Sequence, residues 1–115
     1  MPAELELDEF DPLATHALAY QDDQCIGTGR LVHLDHGHAQ IGRMAVLARV
    51  RGQGVGKQIL GELIDLAKRE DVKTLILHSQ LTAIPFYEKL GFKVEGLSYE
   101  EAGIAHRNMI LLLAK

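Results

Sequence analysis

The most informative segment of this 115-residue chain is Arg51-Gly52-Gln53-Gly54-Val55-Gly56-Lys57. It separates a β-like run, 39–47, from a run with helical periodicity, 55–67. Its glycines let the main chain approach a ligand closely and expose N–H groups, and the helix behind them contributes the positive end of its dipole. With a cationic side chain at each end, the segment predicts a phosphate-binding loop between a strand and a helix.

Outward from this loop, the patterns predict an antiparallel first half and a crossover second half. Polar breaks of turn length separate the β-like runs before the loop, and apolar spacings of three and four mark the helix after it. Residues 1–14 are an acidic lead-in that we leave open as an arm, an edge strand or the tail of a preceding element. The predicted elements are strands 15–20, 25–34, 39–47, 74–78, 92–95 and 107–113, with a polar loop before the last of them, and helices 55–67 and 82–90. Thr82 is the predicted N-cap and Gly91 the predicted end of the second helix. The order β-β-β-α-β-α-β-β describes a mixed α/β domain.

Composition restricts the class of protein. The formal charge is −4, 47% of residues are hydrophobic and 24% are charged. These values favour one folded domain over residues 1–115 and give no electrostatic reason to expect nucleic-acid binding. The longest apolar run, Met109–Ala114, is too short for a bilayer, and the acidic start is unlike a signal peptide. We therefore expect a cytoplasmic protein without a membrane partner.

The sequence also argues against a metal centre. Cys25 is the single cysteine, so neither an internal disulfide nor a multi-thiolate site can form. His33, His36 and His38 surround a polar turn, and zinc is an alternative reading of this cluster. Since no thiolate is near them, we interpret them as a solvated turn and expect no metal.

Two common phosphate-binding motifs do not fit the glycine-rich segment. A P-loop needs a glycine five residues before Gly56 and a Ser or Thr after Lys57, but the chain has Arg51 and Gln58 there. A dinucleotide fingerprint needs its third glycine one residue later, and it opens a βαβ unit. The segment instead matches the pattern R/Q-x-x-G-x-G/A, as Arg51-x-x-Gly54-x-Gly56.

With that motif, the chain resembles the GNAT superfamily of acetyl-CoA-dependent N-acyltransferases. Two further features support the resemblance: Met44-Ala45-Val46 at a strand end, and Phe86-Tyr87-Glu88-Lys89-Leu90-Gly91-Phe92 downstream. The resemblance runs from about Thr15 to the C-terminus. The segment 99–106 is similar to a small bacterial subset of the family.

The resemblance implies an N-acetyltransferase that moves an acetyl group from acetyl-CoA to a small-molecule or peptide amine by direct attack, through a tetrahedral intermediate. It implies that Val46 N–H stabilises the oxyanion, that residues 51–57 hold the pyrophosphate and that Tyr87 is the general acid. A phenol with a pKa near ~10 is a reasonable proton donor to a thiolate whose acid lies near ~8.5. The implied cofactor-binding residues are Met44, Ala45, Val46, Arg51, Gly52, Gln53, Gly54, Val55, Gly56, Lys57 and Gln80.

The chain departs from the family pattern in three places. Gln80 stands where many members carry an asparagine that contacts the coenzyme. No carboxylate lies within strand 74–78, so the general base stays open among His78, Glu101, His106 and water. A strand and two helices that normally precede this region and form one side of the acceptor site are not recognisable, which predicts an exposed apolar face there.

These departures leave alternatives. Either the chain is truncated at its N-terminus relative to the full fold, or a partner chain, for example in a homodimer, completes the acceptor site. Without the missing side of that site, the chain would be an acyl-CoA-binding module that has lost turnover. A nucleotide-binding α/β domain is a third, weaker hypothesis, which binding of ATP or NAD without acetyl-CoA would favour.

Overall fold

The computed structural model describes residues 4–8 and 14–113. Within these residues, seven strands form one mixed sheet in the order β1-β2-β3-β4-β5-β7-β6. The β4–β5 pair is parallel and the other pairs are antiparallel. This arrangement confirms the predicted α/β class, with its antiparallel half and its crossover half. The strands are β1 (Glu4–Asp8), β2 (Ala14–Gln21), β3 (Gln24–His33), β4 (His38–Val46), β5 (Thr74–Gln80), β6 (Lys93–Glu101) and β7 (Ile104–Leu112), and the helices are α1 (Val55–Arg69) and α2 (Ile84–Glu88).

The acidic lead-in contributes an edge strand, which was one of the three alternatives for it. Strand β1 pairs antiparallel with β2, so the observed order has one strand more than predicted. Leu5 and Leu7 pack against the core, while Glu4 and Glu6, which alternate with them, lie on the other face. The rest of the lead-in, 1–3 and 9–13, lies outside the described residues.

The prediction of a polar loop between the last two strands was wrong. Strands β6 and β7 continue to a tight turn at Ala102 and Gly103, whose φ angles are 54° and 77°. Two consecutive positive φ angles are typical of the hairpin turn that matches strand twist. β6 forms the edge of the sheet and is largely exposed, so its polar residues do not show the alternation of a half-buried strand.

Helix α2 is shorter than predicted. The predicted N-cap, Thr82, lies inside a 3-10 turn, Leu81–Ala83, and makes no capping hydrogen bond there; that prediction was wrong. Pro85 occupies the first turn, as expected, because its missing N–H is not needed at that position. Gly91 has φ 99°, which confirms it as the residue that ends this segment.

The core lies between α1 and one face of the sheet. Ile59 and Leu63 of α1 are fully buried against β3, β4 and β5, which contribute Leu31, Ile41 and Leu75. Gly29 of β3 permits the close approach of the helix. A Cβ there would lie 2.6 Å from Met44 Sδ, 2.8 Å from Ile59 Cγ2 and 3.0 Å from Leu63 Cδ1.

We expect Gly29→Ala to lower the free energy of unfolding by about 1–3 kcal/mol, because the added methyl group forces α1 away from the sheet. Urea denaturation followed by circular dichroism measures this change. Gly42→Ala is the matched control, since a Cβ at Gly42 has no atom within 4 Å. Equal effects of the two substitutions would contradict this account of the helix–sheet contact.

Neither helix in the described part of the chain is long and apolar enough to cross a membrane.

Candidate functional site

The parallel pair β4–β5 opens partway along its length. The two strands pair from His38–Thr74 to Ile41–Leu77 and then separate, although β4 runs on to Val46 and β5 to Gln80. A cavity of about 350 Å³ occupies the gap. The residues that line it are Ile41, Gly42, Arg43, Met44, Leu77, His78, Ser79, Gln80, Ala83, Tyr87 and His106.

A β-bulge in β4 accompanies this separation. Between the pairs Arg30–Gly42 and Thr28–Ala45, β4 has one residue more than β3. Arg43 lies in the bulge and has a φ angle of 51°. The Thr28 hydroxyl of β3 donates a hydrogen bond to the Arg43 carbonyl at 3.2 Å. A bulge bends its strand and changes the direction of the residues that follow. The end of β4 is thereby turned relative to β5.

The main chain of Val46 faces the open side of β4. Leu47 N–H donates to the Ile26 carbonyl of β3 at 2.9 Å. Since successive residues of an extended strand point their N–H groups in opposite directions, Val46 N–H and C=O are directed away from β3. The Val46 carbonyl accepts a hydrogen bond from Arg51 Nε at 3.2 Å. This contact joins the end of β4 to the glycine-rich loop.

The glycine-rich loop presents main-chain donors at the start of α1. Gly54 caps the helix with φ 83°, and a Cβ on Gly52 or Gly54 would meet no atom within 4 Å. Gln58 N–H makes a helical hydrogen bond to Gly54 at 3.0 Å, so the N–H groups of residues 55–57 precede it without helical partners. The first turn of α1 has no acidic residue, and Arg51 and Lys57 are exposed. The loop therefore suits an anion.

The loop and α2 meet at Gly56. A Cβ there would lie 3.6 Å from Phe86 and 3.7 Å from Val46. Val55 points the other way, into the core, and so offers its main chain alone to the loop surface. Ala45 and Val46 line a second, smaller depression of about 170 Å³ between β3 and β4. The predicted positions thus divide among the large cavity, this depression and the exposed loop.

Tyr87 reaches the cavity from α2. Its ring packs edge-to-face on Phe86 and Phe92, at centroid distances of 5.0 Å and 6.0 Å. Burial raises the pKa of the Tyr87 phenol, so this group stays protonated at neutral pH. Gln80, the last residue of β5, lines the same cavity and is otherwise exposed.

The three candidate side-chain bases lie together: His78 and His106 line the cavity, and Glu101 contacts both of them. Glu101 lies between two imidazoles: its Oε1 is 3.4 Å from His78 Nδ1 and its Oε2 is 3.6 Å from His106 Nε2. Sequence reasoning missed Tyr99, whose ring stacks on His106 at 6.2 Å and whose hydroxyl donates to Asn108. Tyr99 was missed because residues 96–106 were predicted to be a loop; an extended hairpin pattern would have placed it on the same face as His106.

Partial burial and the nearby Glu101 carboxylate raise the pKa of Tyr99. This phenol therefore remains a hydrogen-bond donor to Asn108 at neutral pH, and it holds its ring against His106. Among the described residues, no group of three or more His, Cys, Asp or Glu side chains is arranged to hold a metal ion.

Similar proteins share both the sequence and this architecture. The family model described as acetyltransferase (GNAT) domain matches residues 3–113. The uncharacterized N-acetyltransferase YjcF of Bacillus subtilis is 33% identical over 111 residues, which cover 96% of this chain and 79% of that protein.

Two solved structures show the same fold. An acyl-CoA N-acyltransferase from Pseudomonas aeruginosa has a TM-score of 0.78 at 28% identity, covering 90% of this chain and 75% of that chain. A GNAT family acetyltransferase from Elizabethkingia anophelis with acetyl-CoA bound has a TM-score of 0.77 at 22% identity, covering 92% and 80%. With a family model matched over nearly its whole length, this chain belongs to the GNAT acetyltransferase family and is an acyltransferase.

Proposed function

We propose that this protein transfers the acetyl group of acetyl-CoA to the nitrogen of a small-molecule or peptide amine by direct attack. The observation that carries the proposal is the opening of β4 from β5 beside the glycine-rich loop. Tyr87 lines this gap, and Arg51 of the loop bonds to the Val46 carbonyl at the end of β4, which supports a donor site that runs from the loop to the gap. The acetyl-CoA held by a fold neighbour supports this choice of donor.

In this proposal the donor lies across the end of β4. Its pyrophosphate is held by residues 51–57, through main-chain N–H groups and the cations Arg51 and Lys57. Its pantetheine arm pairs with the main chain of residues 44–46, and Gln80 contacts it from β5. The absence of an acidic residue in the first turn of α1 favours the dianionic pyrophosphate.

The reaction needs a stabilised oxyanion and a protonated leaving thiol. When the amine attacks the thioester carbonyl, negative charge moves to the carbonyl oxygen, and Val46 N–H is the donor directed into the gap. Collapse of the intermediate breaks the carbon–sulfur bond. Tyr87, kept protonated by burial, then gives its hydroxyl proton to the departing thiolate.

Arg51→Ala tests the donor site. We expect it to weaken acetyl-CoA binding by about 10–100-fold, because charged hydrogen bonds contribute about 1.5–3 kcal/mol. Isothermal titration calorimetry measures the change. Arg49→Ala is the matched control, since Arg49 is equally exposed but bonds to Gln24 on another part of the surface.

Each outcome of this titration is informative. Micromolar binding by the wild-type chain and Arg49→Ala, with strong weakening in Arg51→Ala, supports the site. No binding by a chain shown to be folded by circular dichroism contradicts it. If the chain binds acetyl-CoA but releases no free thiol in the presence of any of a panel of primary amines, only the transfer step is contradicted.

A further inference from the structure

We propose that His106 is the catalytic base of this site, with Nε2 as the atom that takes the proton from the acceptor ammonium, and that Glu101 is its positioning residue. This inference rests on the proposed function, because it assigns the proton acceptor for that same transfer.

The hydrogen bonds of His106 determine which nitrogen is free. Its Nδ1 lies 2.7 Å from the Ile104 carbonyl oxygen. Since a carbonyl can only accept, Nδ1 must carry a hydrogen, and in the neutral ring Nε2 then holds the lone pair. The contact comes from the turn at the start of β7, so the fold itself selects this tautomer.

His106 lies at the cavity and is well shielded from solvent. Its exposed fraction is 8%, and it lines the cavity with Gln80, the residue directly opposite it in the β5–β7 pair. Directly opposite residues share a sheet face, and this face is the reverse of the one that buries Leu77 and packs against α1.

Tyr87 reaches the cavity from the α-helical side, where its ring packs on the buried Phe92. The proposed acid and the proposed base therefore approach the cavity from opposite faces of the sheet.

Glu101 faces the nitrogen that takes the proton. Its Oε2 is 3.6 Å from His106 Nε2, so a proton gained there faces a carboxylate. The other groups that face His106 are Tyr99, stacked on its ring from β6, and His78, on β5 beyond the other carboxylate oxygen. Arg43 from β4 and Tyr87 from α2 complete the charged and titratable groups lining the cavity.

His78 is a poorer candidate for the same role. Its side chain is 36% exposed, against 10% for that of His106, and it contacts the Glu101 carboxylate at 3.4 Å. A carboxylate contact does not by itself define the neutral tautomer, because a carboxylate also pairs with an imidazolium. His106 alone of the two has a carbonyl contact that leaves a defined lone pair.

The proton balance is as follows. The ammonium N–H bond breaks and an N–H bond forms at His106 Nε2, which leaves a neutral amine whose lone pair attacks the thioester carbon. The carbon–sulfur bond breaks, and the thiolate takes the Tyr87 proton. The second amine proton returns to Tyr87 through water, and His106 releases its proton to solvent. One proton is released for each amide formed.

The tautomer is tested first, on the free full chain, and needs no acceptor. Long-range proton–nitrogen correlation spectra of ¹⁵N-histidine-labelled protein distinguish a protonated from an unprotonated imidazole nitrogen. We expect the signal that disappears in His106→Asn to show a protonated Nδ1 and an unprotonated Nε2 at about pH 8. A proton on Nε2 there would overturn the proposal.

The kinetic test uses two amines of different basicity. At about pH 7.5 ethylamine is almost entirely protonated, whereas 2,2,2-trifluoroethylamine is almost entirely neutral and needs no base before attack. We expect His106→Asn, whose amide can still donate to Ile104, to lower kcat/KM for ethylamine by about 10²-fold or more and to affect trifluoroethylamine much less.

His33→Asn is the matched control, because His33 forms a similar contact with Glu70 on the surface, at 2.7 Å. It should leave both rates unchanged. We expect Glu101→Gln to lower kcat/KM for ethylamine more than for trifluoroethylamine, a difference that a merely structural role would not produce. Equal losses for the two amines in His106→Asn or in Glu101→Gln would overturn the corresponding assignment.

Acetyl-CoA titration of the same variants separates the two levels of proposal. If His106→Asn still binds acetyl-CoA and the ratio of kcat/KM for the two amines is unchanged, the role of His106 is rejected and the proposed function stands. If the wild-type chain does not bind acetyl-CoA, the proposed function is rejected.

Discussion

Tyr87→Phe is expected to lower kcat by about 10²–10⁴-fold while the acetyl-CoA dissociation constant stays within about twofold. The substitution removes one oxygen atom and keeps the ring that packs edge-to-face on Phe86 and Phe92. The stability of the protein should therefore change little. Steady-state release of free thiol, with calorimetric titration of the same sample, separates a loss of proton donation from a loss of binding.

The proposed role of Tyr87 as general acid also predicts how the kcat of the wild-type enzyme depends on pH. Burial raises the pKa of Tyr87, so the phenol keeps its proton at every pH below about 10. A general acid is active in its protonated form, so Tyr87 should cause no decline of kcat below that pH.

Tyr20→Phe is the control for the loss of kcat in Tyr87→Phe, because Tyr20 lies in β2 and does not line the cavity. An equal loss of kcat in Tyr20→Phe and Tyr87→Phe would show that the effect does not depend on the position of Tyr87 at the cavity.

Phe92→Ala is expected to lower the free energy of unfolding by about 3–5 kcal/mol, the range for emptying a buried phenylalanine site. Phe92 is 1% exposed and is the largest fully buried side chain in the described part of the chain. Since domains of this size are stable by about 5–15 kcal/mol, the loss is a large share of the total. Thermal denaturation should show a midpoint lower by about 10–20 °C.

Leu97→Ala is the control for this loss. Leu97 lies on the edge strand β6 and is 89% exposed, so its removal should change stability by less than about 0.5 kcal/mol. Phe92 also supports the ring of Tyr87, and we expect Phe92→Leu to regain much of the stability but not all of the activity. Full activity in Phe92→Leu would show that Tyr87 does not depend on this contact.

Local patterns were sufficient for the central elements of the fold. The spacing of Val55, Ile59 and Leu63 predicted α1, and the start of the helix at Val55 follows the glycine that caps it. Strands β2 to β4 begin and end within one residue of their predicted positions, and β5 ends two residues later than predicted. In these elements one face is buried, so hydrophobic residues recur with the period of a helix or a strand and the sequence predicts the element.

Elements at the sheet edges were not readable in the same way. Strand β6 is mostly exposed, so its side chains carry no period, and it was predicted to end at Glu95 rather than at Glu101. Thr82 was predicted to cap a helix because of its residue type alone, although the chain places it in a 3-10 turn. Such positions depend on contacts with distant strands, which a local pattern does not contain.

The motif around Arg51, Gly54 and Gly56, together with residues 44–46 and 86–92, was enough to identify the family and the donor that the site is proposed to bind, because each of these features is a property of a few consecutive residues. The arrangement of His78, Glu101 and His106 needed the tertiary structure. His78 is more than 20 residues before the other two, and strand pairing across β5, β7 and β6 brings the three together. The tautomer of His106 depends likewise on the Ile104 carbonyl at the start of β7, a contact that residue type and spacing do not specify.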